Sequence, residues 1–134
     1  MKQIQLVDFP KILDDRGNLS IIEEKKEAPF EIKRVYWIYD VPGGEFRGSH
    51  AFRETEELIV ALSGSFDIVL HDGIKEQHFT LNRSYNGVFV PKMIWRKLDN
   101  FSTNSLALIL ASTSYNEADY IRDFEEFQKL KNEN

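Results

Sequence analysis

The feature that most constrains this chain is a train of short apolar runs, each closed by a turn signal, that fills its first 113 residues. The runs are QIQLVDF, LSIIEE, KRVYWIYDV, EELIVALSG, SFDIVLHDG, KEQHFTL, GVFVPKMIWRKL and SLALILAST. Asp14-Asp15-Arg16-Gly17-Asn18, Lys25 to Pro29 and Pro42-Gly43-Gly44 punctuate them. Many short strands at such spacing predict a β-sandwich or barrel. The aromatic content, 13% with ten Phe and five Tyr, suits pleated, half-buried surfaces and points the same way. Ser63-Gly64 is expected to join EELIVAL to SFDIVLH, and His71-Asp72-Gly73 to close the second run before KEQHFTL, so residues 56–81 read as a meander. From Tyr115 the character changes. Tyr120, Ile121, Phe124, Phe127 and Leu130 fall near helical spacing with Asn116 as N-cap, which predicts a C-terminal helix. A length of 134 residues suits one core, so a single domain over residues 1–134 is expected.

Charge and composition remove several functions. A net charge of −5 argues against a sequence-independent grip on nucleic acid, which needs clustered Lys and Arg to neutralise phosphates. No window approaches the ~18 consecutive apolar residues of a membrane span, and the start lacks the basic and apolar regions of a signal peptide, so a cytoplasmic protein is expected. Cysteine is absent, which removes disulfides, thiolate nucleophiles and Cys-ligated metals together. Any chemistry must come from His, Tyr, Arg, Asp or Glu.

The three histidines are His50, His71 and His78. A metal-binding barrel typically presents two His separated by one residue, a nearby Glu and a third His from a later strand. Here Phe52 stands at the second position and Trp95-Arg96 where the later His would fall, so no metal site is expected. His71 reads as a turn residue and His78 as part of a polar strand, both solvated. His50 follows Gly48 and Ser49 at a strand entry, where small residues let the backbone approach a ligand, so a functional role and a purely structural one stand level for it. In KRVYWIYDV, alternation puts Arg34, Tyr36, Ile38 and Asp40 on one face and Val35, Trp37 and Tyr39 on the other. Were Arg34 inward, a bound phosphate would offset the several kcal/mol that an unpaired buried guanidinium costs; were it outward, a strand-end carboxylate would pair it. Arg47 poses the same question, and two arginines at one mouth would suit a diphosphate. Of Glu56 and Glu57 one faces inward, and an inward Glu57 would accept hydrogen bonds from a base or sugar hydroxyl. Trp37, Tyr39 and the apolar face of QIQLVDF serve either a monomer core or a dimer contact.

The stretches KRVYWIYDVPGGEFRGSHAF, TEELIVALSGSFDIVLHDG, GVFVPKMIWRKL and LASTSYNEADYIRDFEEF, in that order, resemble the dTDP-4-keto-6-deoxyhexose 3,4-ketoisomerases, the WxcM-like sugar cupins. The resemblance covers nearly the whole chain. It implies a cupin-type β-barrel (jelly roll) with a short C-terminal helix, acting without metal or cofactor. It also implies a homodimer that exchanges N-terminal strands and binds a dTDP-linked keto-deoxysugar. The implied reaction moves the keto group between C4 and C3 by enediol proton transfer, feeding deoxyamino sugars into surface polysaccharide. By position the resemblance places Arg34 and Arg47 near the diphosphate, Tyr36 in the pocket and His50 on the first His of an Arg-Gly-x-His-Ala-His signature. The second His of that signature is Phe52 in this chain. Catalysis would then fall to His50 and Tyr36, with Glu57, Trp95 and Arg96 on the substrate side. Arg96, at a position often His in the family, either stabilises an enediolate or points outward. The alternative is a barrel that binds the nucleotide sugar without turning it over, or serves as a partner subunit.

Overall fold

In the computed structural model, which describes residues 2–133, the apolar runs become strands β1 (Gln5–Asp8), β2 (Lys11–Asp14), β3 (Gly17–Ser20), β4 (Arg34–Tyr39), β5 (Arg47–Phe52) and β6 (Glu57–Ser63). They continue with β7 (Phe66–His71), β8 (Glu76–Leu81), β9 (Asn86–Val90), β10 (Trp95–Asp99), β11 (Leu106–Ala111) and β12 (Tyr120–Ile121), and close on helix α1 (Phe124–Asn132). One five-stranded sheet runs β1-β9-β6-β11-β4, the other β12-β5-β10-β7-β8, and β2 pairs only with β3. Every pairing between strands is antiparallel. The two sheets face each other as an all-β, cupin-type jelly roll with one short C-terminal helix, as expected.

Three apolar layers hold it. Ile59, Phe66, Ile68, Leu70, Val88, Leu98 and Ile109 fill the space between the sheets. On the outer face of the first sheet, Leu58, Val60, Phe89 and Leu110 lie under Phe9, Ala28 and Phe30. On the outer face of the second, Ala51, Met93 and Trp95 lie against Ile121, Phe127 and Leu130. Residues 57–61 of β6 are therefore buried on both faces, which is why EELIVAL is nearly continuous in hydrophobicity rather than alternating.

Two expectations are corrected. Residues 56–81 are not one meander: β6 pairs with β9 and β11, whereas β7 pairs with β8 and β10. Ser63-Gly64 is the corner where the chain leaves one sheet for the other. Gly64 turns it at φ +67°, and a Cβ there would lie 2.8 Å from Ser105 Cα. The helix also begins later than its hydrophobic spacing suggested. Asn116 caps only a 3-10 turn, Glu117–Asp119; Tyr120 and Ile121 then pair with Phe52 and Ala51, and Asp123 caps α1 through Glu125 N–H at 3.0 Å. Strand pairing along β5 overrides local helical spacing there. No helix among the described residues is long and apolar enough to cross a membrane.

Candidate active site

Strand β4 resolves its own ambiguity: Arg34, Tyr36 and Ile38 face inward, and Val35, Trp37 and Tyr39 outward. Across the first sheet, Arg34 pairs with Ala111 and Ala111 with Glu57, so a small residue leaves room between the two charged ones. On the second sheet Arg96 pairs with His50, and Phe52 with Tyr120. The strand ends therefore bring Arg34, Tyr36, His50, Phe52, Glu57, Arg96 and Tyr120 together at one end of the barrel.

Arg96 is its hub. It is 1% exposed, as is Glu57. Its Nε donates to Glu57 Oε1 at 2.5 Å, Nη2 to Tyr36 Oη at 2.8 Å and to Glu57 Oε2 at 3.3 Å, and Nη1 to the Gly48 carbonyl at 3.1 Å. Tyr36 in turn donates its hydroxyl proton to Glu57. Between the Arg96–His50 and Leu98–Arg47 pairs the register of β5 slips in a bulge. Gly48 sits in it at φ +66°, and a Cβ there would meet Arg96 Nη1 at 2.2 Å. Only glycine lets the guanidinium through.

Burial opposes the charge of Arg96, and Glu57 and Tyr36 more than offset it, so the guanidinium stays protonated. Burial, chiefly, and the Glu57 carboxylate push Tyr36 well above the usual phenol range. His50, 6% exposed, is pushed down to about 2, first by burial and then by Arg96, Arg122 and Arg34. Its ring is edge-on to Phe52 at 4.8 Å and to Tyr120 at 4.9 Å. Two buried polar atoms here lack a partner, His50 Nε2 and Arg34 Nε. Buried polar groups are rarely left so, and an unpaired cation beside a neutral imidazole is what an anionic, proton-exchanging ligand would complete. The Arg34 guanidinium lies over the rings of Tyr36 (5.3 Å) and Tyr115 (5.6 Å). Tyr115 also borders a cavity of about 530 Å³ beside Thr113, Asn116 and Asp119.

A larger cavity, about 950 Å³, lies elsewhere, between Lys2, Ile4, Asp72, Lys75, Lys92 and Ile94. Its cations are largely engaged: Lys2 with Glu56 at 2.8 Å, Lys92 with Glu54 at 3.8 Å, and Lys131 with the Met93 carbonyl at 3.1 Å. Size alone does not make it the site.

The structure thus gathers five of the residues singled out by sequence: Arg34, Tyr36, His50, Glu57 and Arg96. Glu57 faces inward, but Arg96 and Tyr36 occupy both its oxygens, so it is not a free acceptor for a base or sugar. Arg96 points into the barrel, not out. Arg47 is exposed at the first residue of β5, across from Leu98 and outside the hydrogen-bonded cluster. Trp95 is removed from the pocket by strand alternation. It faces the other way from Arg96 and packs on Phe124 (5.3 Å) and Phe127 (5.8 Å). His71 is half-buried rather than solvated: Nδ1 accepts from Gly73 N–H at 3.0 Å, and the ring meets Phe124 at 5.2 Å. His78 is exposed beside Glu76 at 2.9 Å. Sequence reading missed Tyr120, which it assigned to a helix, and the clamp behind it: the Arg122 guanidinium lies 4.4 Å over the Tyr120 ring and bonds Glu117 at 2.8 and 3.1 Å. The closely spaced Tyr115 and Tyr120 were the available signal. Among the described residues no three His, Asp or Glu side chains converge as metal ligands would.

The family model described as FdtA, WxcM-like, C-terminal matches residues 2–132. The chain belongs to the FdtA family. A curated relative, the TDP-4-oxo-6-deoxy-α-D-glucose-3,4-oxoisomerase of Aneurinibacillus thermoaerophilus, is 42% identical over 93% of this chain and 90% of its own. A 3,4-ketoisomerase structure from Helicobacter canadensis is 42% identical with a TM-score of 0.94, covering 98% of this chain and 99% of that one. A variant 3,4-ketoisomerase from Thermoanaerobacterium thermosaccharolyticum, solved in complex with TDP-4-keto-6-deoxyglucose, is 32% identical with a TM-score of 0.95 over 99% of this chain and 96% of that one.

Proposed function

We infer that this FdtA-family protein is a dTDP-sugar 3,4-ketoisomerase, moving the keto group between C4 and C3 of a dTDP-4-keto-6-deoxyhexose in the making of deoxysugars. Beside the family membership, one observation carries the reading: a buried, neutral imidazole with an unpartnered Nε2 stands beside an arginine with an unpartnered Nε. The reaction removes the C3 proton, passes through an enediol and returns a proton at C4. His50 presents an open Nε2 to take the C3 proton; burial and the surrounding guanidiniums weaken it as a base, and the negative charge of a bound diphosphate restores its basicity. Arg34 binds the diphosphate with its free edge, and Arg47 meets it from the exposed rim. Arg96, its charge balanced by Glu57, acts on the sugar through Tyr36 rather than as a free cation. Tyr36 handles the oxygen-bound protons. Phe52 walls the imidazole from solvent in the position of the family's second His. No metal or cofactor enters this scheme.

We further propose that the protein is a homodimer joined through its N-terminal segment. The support is geometric. Hairpin β2–β3 is exposed throughout and pairs with neither sheet, while β4 turns Val35, Trp37 and Tyr39 outward. β1 is already paired with β9 of its own chain, so the hairpin is the piece free to exchange.

Incubation with TDP-4-keto-6-deoxyglucose, followed by NMR, tests the reaction. The 3-keto sugar should accumulate, and His50→Asn should abolish it while retaining TDP. Binding of TDP without turnover by the unaltered protein, and turnover once Phe52→His is introduced, would show a binding barrel that has lost catalysis.

A further inference from the structure

A tyrosine hydroxyl has one proton to donate and two lone pairs to accept with. The proton of Tyr36 goes to Glu57 Oε2, and one lone pair receives the proton of Arg96 Nη2 at 2.8 Å. One lone pair is left. Tyr36 therefore meets a sugar hydroxyl as an acceptor, and it can take that hydroxyl's proton only if its own moves on to Glu57. The carboxylate is built to stay in place: it is 1% exposed, with Arg96 Nε at 2.5 Å on its other oxygen. Arg96 is held in turn by the Gly48 carbonyl at 3.1 Å, in a gap that no side chain on Gly48 could share. Hydroxyl, carboxylate and guanidinium are thus one rigid unit drawn from β4, β6 and β10 and backed by β5.

We propose that Glu57 is a positioning residue that carries the oxygen-to-oxygen half of the isomerisation, acting through Tyr36. The inference rests on the ketoisomerase reading above. As the C3 hydroxyl loses its proton to Tyr36 Oη, the former Tyr36 proton passes to Glu57 Oε2; the reverse movement returns it to Tyr36 while Tyr36 delivers a proton to the C4 oxygen. The O3–H bond breaks, an O4–H bond forms, and Tyr36 and Glu57 end as they began. No electrons leave the substrate, since the keto group only changes carbon. His50 moves the carbon-bound proton, and the Tyr36–Glu57 pair the oxygen-bound one. This division accounts for a site that manages two kinds of proton with one imidazole and Phe52 beside it.

Glu57→Gln keeps the shape and removes the accepting charge. With TDP-4-keto-6-deoxyglucose in deuterated water, C3 deuterium exchange should persist near the wild-type rate, while formation of the 3-keto sugar falls about 100-fold or more and KM stays close to wild type. Tyr36→Phe should show the same split between exchange and product. A merely structural role would lower both together; that result, or a Glu57→Gln enzyme that isomerises like wild type, overturns the proposal. If Glu57→Gln leaves Arg96 unpaired and does not fold, Tyr36→Phe decides, and its failure to separate exchange from product overturns the proposal equally. An unaltered protein that neither exchanges C3 nor forms the 3-keto sugar would overturn the ketoisomerase reading itself, so the two failures are distinguishable.

Discussion

Within the cluster, the imidazole of His50 ties stability to pH. The unfolded chain binds a proton at histidine near pH 6.5, whereas in the folded protein burial and three guanidiniums hold His50 down to about 2. Between these values the unfolded state carries the extra proton. The stability that His50 contributes as a neutral group is therefore complete above about 6.5 and is lost as the pH falls below it, by at most about 1.4 kcal/mol per pH unit. Chemical denaturation at a series of acidic pH values should show a shallower fall for His50→Asn than for wild type; parallel curves would remove His50 from the account. His50 was legible in the sequence because histidines are few and Gly48 precedes it. The hydrogen bonds of Tyr36, Glu57 and Arg96 were not. Glu57 and Arg96 lie 39 residues apart, and only the strand order makes them neighbours.

Among the elements, α1 shows how a local pattern can be right in kind and wrong in extent. Its caps and charges agree with its direction: Asp123 at the N-cap, Glu125 and Glu126 in the first turn, Lys129 and Lys131 in the last. Yet a nine-residue helix is marginal alone, and it persists because Phe127 is fully buried against Trp95 and Phe124. Phe127→Ala should cost about 3–5 kcal/mol, and a red shift of tryptophan emission at denaturant levels the wild type withstands would report Trp95 uncovered. Unchanged stability and emission would mean that α1 does not hold that face. Through Trp95 the helix also steadies β10, the strand that carries Arg96 on its opposite face. A residue expected at the substrate thus acts on the site from behind.

For the whole molecule, the outward row of β4 sets the remaining expectation. Trp37 is 57% exposed and Tyr39 61%, and the β2–β3 hairpin exposes Ile12, Leu13 and Leu19. Exposed apolar residues on this scale suit an interaction site, and a second copy of the chain that receives the hairpin would cover them. Sedimentation should give twice the chain mass for the wild type and a shift toward the single-chain mass for Trp37→Glu, which would bury a charge in the contact; a wild-type monomer would exclude the dimer. The same strand separates what sequence and tertiary structure each decide. Sequence alone determined that Arg34 and Tyr36 share a face opposite Val35, Trp37 and Tyr39, that strands in series build an all-β barrel, and that the segment from Arg47 to Phe52 carries the candidate imidazole. These follow from the two-residue period of a strand and from local turn chemistry. Only the packed sheets decided which face of β4 looks inward, that Ser63-Gly64 crosses between sheets, and that Arg96 is spent on Glu57 rather than left free for substrate. Alternation fixes relative faces, but which face is buried, and which charges meet there, depends on strands brought together from distant parts of the chain.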